Sequence, residues 1–177
     1  VKGRAPNQAT IPRKRLPFRA VNRRGSPQHD PGLQRHHLLP RQLLGEACFE
    51  PLFDILGADR IGFDDFRLNG LLLPASEEAA LRLALPLHRG PHRNYNQMVI
   101  ERVGSVERQW SRQNLADPHG AAQMALMRLA VLQRALRRRL LDERKPLRLN
   151  RRDPLGRGID FSDLDAMAEV LWGATAP

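Results

Sequence analysis

Arg35-His36-His37-Leu38-Leu39-Pro40 is the stretch on which the reading of this chain turns. Residues 33–39 suit a short strand or turn that ends at Pro40, because proline cannot carry a ladder onward. Adjacent side chains on a strand face opposite sides, so His36 and His37 cannot share one role. One can ligate a metal ion while its neighbour faces a substrate. Standing alone, the pair would be read as surface histidines beside a turn. Four of the six histidines, however, fall into two tight groups, the second being His88 and His92 in the run from His88 to Asn96. On a helix, positions four apart share a face and can hold one ion together; if Gly90-Pro91 breaks the helix, a loop must bring the two rings together.

Working outward, residues 41–56 show helical spacing interrupted at Pro51 and stopped by Gly57. Ile61, Phe63 and Phe66 lead to a polar corner at Asn69-Gly70, and the apolar triplet 71–73 before Pro74 reads as a short buried strand. Asp64-Asp65, just before it, suits a cap or turn better than a pair of metal ligands. Residues 77–85 predict a short helix, and 92–110 a longer one weakened by Gly104. Residues 120–144 carry one apolar stripe and a basic face of Arg128, Arg134, Arg137, Arg138 and Arg139, of which the run 137–139 is read as a solvated helix face in preference to a nucleic-acid track. Residues 162–172 predict a last amphipathic helix capped by Ser162. His29 and His119 fall outside these groups and are expected to be bystanders.

Residues 1–32 have no helical or alternating period and are broken by prolines, so a basic extended arm or linker is expected, able to wrap the domain or run along phosphates. The chain begins with Val and reads as a piece of a longer protein. Its 177 residues suffice for one domain with a real core. A formal charge of +10, from 29 Lys and Arg against 19 Asp and Glu, favours polyanionic partners, and guanidinium groups suit phosphate. An Arg-rich background composition would give the same balance. The single cysteine, Cys48, excludes an intramolecular disulfide and any Cys-based zinc ribbon, so histidine and oxygen must hold any metal. No apolar run reaches membrane-spanning length, and the first residues lack the order of a signal peptide.

The succession HHLLP, NGLLLP and HRGPHRNYNQMV resembles, in order and spacing, the AHH nucleases of the HNH/endonuclease VII group, over roughly residues 33 to 106. Arg35 stands where the family name expects alanine, next to the site and not in it. The resemblance implies a mostly helical α+β fold: a ββα-metal (His-Me finger) core with a small β-hairpin over 33–110, and appended helices over 111–177 packing on it. It also implies His37 as general base, with Asn69 orienting that base or bracing its loop. His36, His88 and His92 would be ligands of one divalent ion, Mg²⁺, Mn²⁺, Zn²⁺ or Ni²⁺. Arg35, Arg89, Arg93 and Asn96 lie beside these residues and are candidate phosphate contacts; Tyr95 is equally a phosphate contact or a core residue.

The implied activity is hydrolysis of DNA phosphodiesters with little sequence preference. A metal-dependent ribonuclease is the close variant, and a non-catalytic, metal-stabilised nucleic-acid-binding module or a basic structural protein the reading from another class. The resemblance further suggests the toxic C-terminal domain of a secreted antibacterial effector. Such a domain would act in the cytoplasm of a target bacterial cell and be neutralised by an acidic immunity protein.

Overall fold

The stretch before Pro40 and the apolar run between Gly70 and Pro74 produce the two strands of the fold, β1 (Leu33–His37) and β2 (Gly70–Pro74). In the computed structural model they pair antiparallel, Leu33 opposite Pro74 and His37 opposite Gly70. The structure describes residues 14–142 and, after them, residues 144, 147, 149, 153–155, 167 and 170. Within these residues the remaining elements are helical, so the class is α+β, mostly helical, as the sequence predicts. The helices are α1 (Glu50–Leu56), α2 (Ala58–Ile61), α3 (Phe66–Asn69), α4 (Glu77–Leu83), α5 (Arg93–Asn114) and α6 (Pro118–Leu140).

Local chemistry explains most of the boundaries. Ser76 caps α4 by accepting from the Ala79 N–H, Asp117 caps α6 through Gly120, and Asp65 caps α3 through Arg67. Asp65 is therefore a cap, as expected. Residues 41–56 differ from the expected interrupted helix. They form two 3-10 turns, Arg41–Gly45 and Ala47–Phe49, before α1, and Pro51 sits in the first turn of α1. There its missing N–H is no loss, so proline starts this helix where it was expected to break one.

Helices α5 and α6 pack side by side and supply much of one continuous core. Met98, Val99, Val103, Val106 and Trp110 of α5 join Leu129, Leu132 and Leu136 of α6, with Leu52 and Leu56 of α1. The basic face expected on α6 is not uniformly solvated. Arg128 and Arg139 are buried, and Arg137 donates to the Arg67 and Leu68 carbonyls at the end of α3, while Arg134 and Arg138 stay exposed. Long aliphatic stems explain this: guanidinium groups can cross apolar surface to reach backbone oxygens.

The described part of the amino-terminal stretch, residues 14–32, lies on the domain. Pro17 bridges to Asp65, the Phe66 N–H donates to the Leu16 carbonyl at 2.8 Å, and Phe18 is buried. Asn22 donates to the Asp30 and Leu33 carbonyls and accepts from the Asp30 N–H, tying the segment to the start of β1. Prolines prevent a regular ladder here, but side-chain and isolated backbone hydrogen bonds replace it. The helix expected at 162–172 lies outside the described residues apart from Met167 and Val170. No helix among the described residues is long and apolar enough to cross a membrane.

The hairpin depends on a bare backbone at one position. A Cβ added at Gly70 would lie 2.2 Å from the Phe66 ring. Gly70→Ala should therefore destabilise the domain by about 1–3 kcal/mol, the usual cost of overpacking. Urea unfolding measures this, and an unchanged midpoint would mean that Phe66 is not packed over the strand.

Candidate functional site

Strand β1 presents its two histidines to opposite sides, and each side has a different character. On one side His36 is only 3% exposed and packs edge-on against Tyr95 of α5, with ring centroids 4.9 Å apart. His88 and His92 close on it from the loop that leads into α5, with centroids 4.9 and 5.8 Å from His36 and 4.4 Å from each other. One ring nitrogen from each of the three lies within 4.8 Å of the others, a spacing at which one cation can be held.

The loop, not a helix, brings His88 and His92 together. Helix α5 begins only at Arg93 with His92 as its N-cap, and Gly90 turns the chain at φ 79°, where glycine bears no steric penalty. The His88 N–H donates to the Pro74 carbonyl at 2.7 Å, fixing the loop to the end of β2. Gln34, two residues before His36 on the same face of β1, lies 3.1 Å from His88 Nδ1 through its Oε1. A proton on Nδ1 satisfies that bond and leaves His88 Nε2 as the free donor.

The three rings fit a metal ion. His36 Nε2 and His92 Nδ1 are buried without a hydrogen-bond partner, which ordinarily costs free energy unless another ligand takes the lone pair. Burial also keeps the three imidazoles neutral, the form that ligates. His36 is held well below the usual imidazole range by burial and then by His88 and His92. His88 is pushed down to about 4 by burial and then by His92. His92 is lowered by burial, against a backbone hydrogen bond at Leu149.

On the other side, His37 faces a groove of about 780 Å³ whose basic lining is Arg15, Arg19, Arg35 and Arg41. Asp59 and Asp64 also line it, and Arg15 pairs with both at 2.8 and 3.4 Å. His37 is pushed down to about 4 by partial burial and then by Arg41, while Asp64 pulls it up and Arg35 lowers it. The ring is therefore an unprotonated acceptor at neutral pH. Its face stacks on Phe18, centroids 3.7 Å apart and planes 2° from parallel.

Asn69, expected beside the base, is fully buried and makes no contact with the groove. It accepts from the Leu39 N–H at 2.7 Å, donates to the Leu39 and Phe63 carbonyls, and accepts from Gln133 of α6 at 3.3 Å. Its backbone carbonyl takes the Leu38 N–H at 2.8 Å. Asn69 is thus a positioning residue that pins the chain directly after His37. Tyr95 is a core residue and not a phosphate contact: it is 1% exposed and donates to the Leu38 carbonyl at 2.7 Å. Asn96 is half-buried and donates to Gln42, while Arg89 and Arg93 are exposed beside the triad and do not line the groove.

Several residues escape the sequence reading. Arg15, Arg19 and Phe18 belong to a stretch without periodicity, and Arg41 to one read as an ordinary helix. Gln34 and Gln133 carry no motif. Asp153, buried and accepting from the Leu87 N–H at 3.1 Å, braces the ligand loop from far along the chain. The period-2 rule on β1 places Gln34 on the face of His36, and the expected basic arm covers Arg15 and Arg19 as a segment without singling them out.

Neutral burial of these imidazoles has a consequence for stability. Each folded-state value lies below the unfolded imidazole value of about 6.5, so the unfolded chain binds more protons as pH falls. The stability they contribute is present above about pH 6.5 and is lost as pH falls toward 4. The melting temperature of the metal-free chain should drop already between about pH 6.5 and 5, above the carboxylate range. A flat melting temperature across that window would mean that the rings are solvated.

A family model described as AHH, a nuclease family of the HNH/ENDO VII superfamily with conserved AHH, matches residues 17–136, about two thirds of the chain. No curated protein and no solved structure gave a significant match.

Proposed function

The chain belongs to the AHH nuclease family of the HNH/ENDO VII superfamily, and from that membership we propose a metal-dependent endonuclease that cuts DNA with little sequence preference, using His37 as general base. As a nuclease it acts on nucleic acid; HNH/ENDO VII nucleases are metal-dependent, and three histidines here lie close enough to hold an ion. In this reading β1, β2 and α5 are the ββα-metal core. The observation that carries it is the division of β1: His36 joins His88 and His92 on the buried side while His37 faces the arginine-lined groove.

The residues divide the work as follows. Arg19, Arg35 and Arg41 receive backbone phosphates, and their guanidinium groups hold a phosphodiester against His37. His37, neutral at pH 7, takes a proton from the water that attacks phosphorus. Asn69 and Tyr95 keep residues 38 and 39 in place, so the imidazole at the end of β1 stays aimed at the groove. His36, His88 and His92 would hold the divalent ion, which supplies Lewis-acid stabilisation to the phosphate and leaving oxygens. A backbone-directed groove of this kind gives little base readout, in keeping with low sequence preference.

We further place this nuclease as the toxic domain of a secreted antibacterial effector, acting in the cytoplasm of a target cell. The net charge of +10 and the arginine groove suit an acidic immunity protein as its neutralising partner.

A plasmid-nicking assay with Mg²⁺, Mn²⁺, Zn²⁺ or Ni²⁺ tests the activity. Wild-type protein should convert closed circles to nicked and linear forms, and His37→Ala should lose about 10²- to 10⁴-fold in rate with melting temperature and metal binding kept. Full activity in that variant would remove His37 from the role. A gel shift without cleavage under all four ions would leave a binding module, and cleavage confined to RNA would make the enzyme a ribonuclease.

A further inference from the structure

The reading of His37 as the base leaves open what fixes its ring, and we infer that Phe18, delivered by the amino-terminal segment, is the residue that positions it. Among the described residues no hydrogen bond to the His37 ring is found; the ring contact it makes is the stack on Phe18 at 3.7 Å and 2°. An imidazole at a strand end retains rotation about two side-chain bonds unless something fills the space beside it. A base that must meet a water in line with a phosphate needs that rotation removed before substrate arrives.

Phe18 is itself held firmly. It is 6% exposed, and Phe66 meets it edge-on at 5.1 Å and 73°. Its carbonyl accepts from Arg35 Nη1 at 2.8 Å, and Arg35 shares with His37 the groove side of β1. The Pro17–Asp65 bridge and the Leu16–Phe66 hydrogen bond fasten the segment on either side of α3's start. Phe66 in turn lies over Gly70, the cross-strand partner of His37. Phe66 over Gly70, Phe18 edge-on to Phe66 and His37 stacked on Phe18 thus form one aromatic cluster against the hairpin. Parallel stacking at this separation brings the full face of Phe18 against the imidazole.

The inference rests on the nuclease reading, and its test separates the two. Phe18→Leu keeps apolar bulk but removes the flat face, whereas Phe18→Tyr and Phe18→Trp keep a face. In Phe18→Leu the nicking kcat should fall roughly 10- to 100-fold with KM little changed. Metal binding by the His36, His88 and His92 cluster and the melting temperature serve as controls for folding, and Phe18→Tyr or Phe18→Trp should restore most of kcat. NMR gives a readout independent of activity: the His37 ring protons should be shifted upfield by the Phe18 ring current in the wild type and should lose that shift in Phe18→Leu. Unshifted His37 protons in the wild type, or an unchanged kcat in Phe18→Leu, would overturn the positioning role. A wild type that cleaves no nucleic acid, but shows the upfield shift, would overturn the nuclease reading and leave Phe18 as the residue that holds this imidazole.

Discussion

Everything at this site depends on the two-residue period of one short strand. Because neighbouring side chains on β1 leave by opposite faces, His36 is committed to the buried cluster and His37 to the groove, and neither can change places without a register slip. The slip is prevented at several points. Asn69 ties residues 38 and 39 to the start of β2, Tyr95 ties Leu38 to α5, and Gln133 brings α6 onto Asn69. The core-forming helices therefore act on the site through the backbone of a few residues just after the histidine pair. Fully satisfied buried polar groups are costly to disturb, and that cost is what holds the register.

Electrostatics follow from the same division. On the buried side, low solvation keeps three imidazoles neutral, reinforced at His36 and His88 by the neighbouring rings, so their lone pairs remain available while no countercharge is needed. On the groove side, partial burial and then the neighbouring arginines suppress protonation of His37, and the same arginines attract phosphate. Asp64 works against them, pulling His37 upward and pairing with Arg15, which tempers the positive field beside the base. The chain's excess of arginine is accordingly not one undifferentiated surface. Arg128 and Arg139 are spent in the interior and Arg137 on the end of α3, while Arg19, Arg35 and Arg41 face the groove.

The sequence announces the parts of this arrangement that are local. The strand beginning at residue 33, the apolar triplet before Pro74, the period of α5 and the cap at Asp65 follow from short-range rules, and the two histidine groups declare themselves by spacing. Pro51 misled because a proline inside a periodic run reads as a break unless the residues before it are known to leave the helix. Tyr95 was undecidable because the same spacing serves a buried hydroxyl and a solvent-facing one; only its bond to Leu38 settles the matter. The placement of Phe18, Arg15 and Arg19 has no local signature at all. Their contacts join residues separated by about 20 to 50 positions, and an aperiodic, proline-broken stretch gives no pattern from which such contacts can be read.

The site is assembled from pieces far apart in the chain. Part of the groove wall comes from Arg15, Phe18 and Arg19, His36 and His37 from β1, His88 and His92 from the loop before α5, and braces from Gln133 and Asp153. A core of two strands and a helix can place the four histidines near one another, but it leaves His37 without the Phe18 contact and the loop before α5 held only at Pro74 and Gln34. The amino-terminal segment supplies the missing wall and the residues after α6 the missing tie. Few contacts hold each of these outlying pieces, so the geometry around the four histidines is the least redundant part of the structure. Segments with little periodicity of their own are well suited to that position. They add no competing helix or strand, and their prolines limit the conformations they lose on docking.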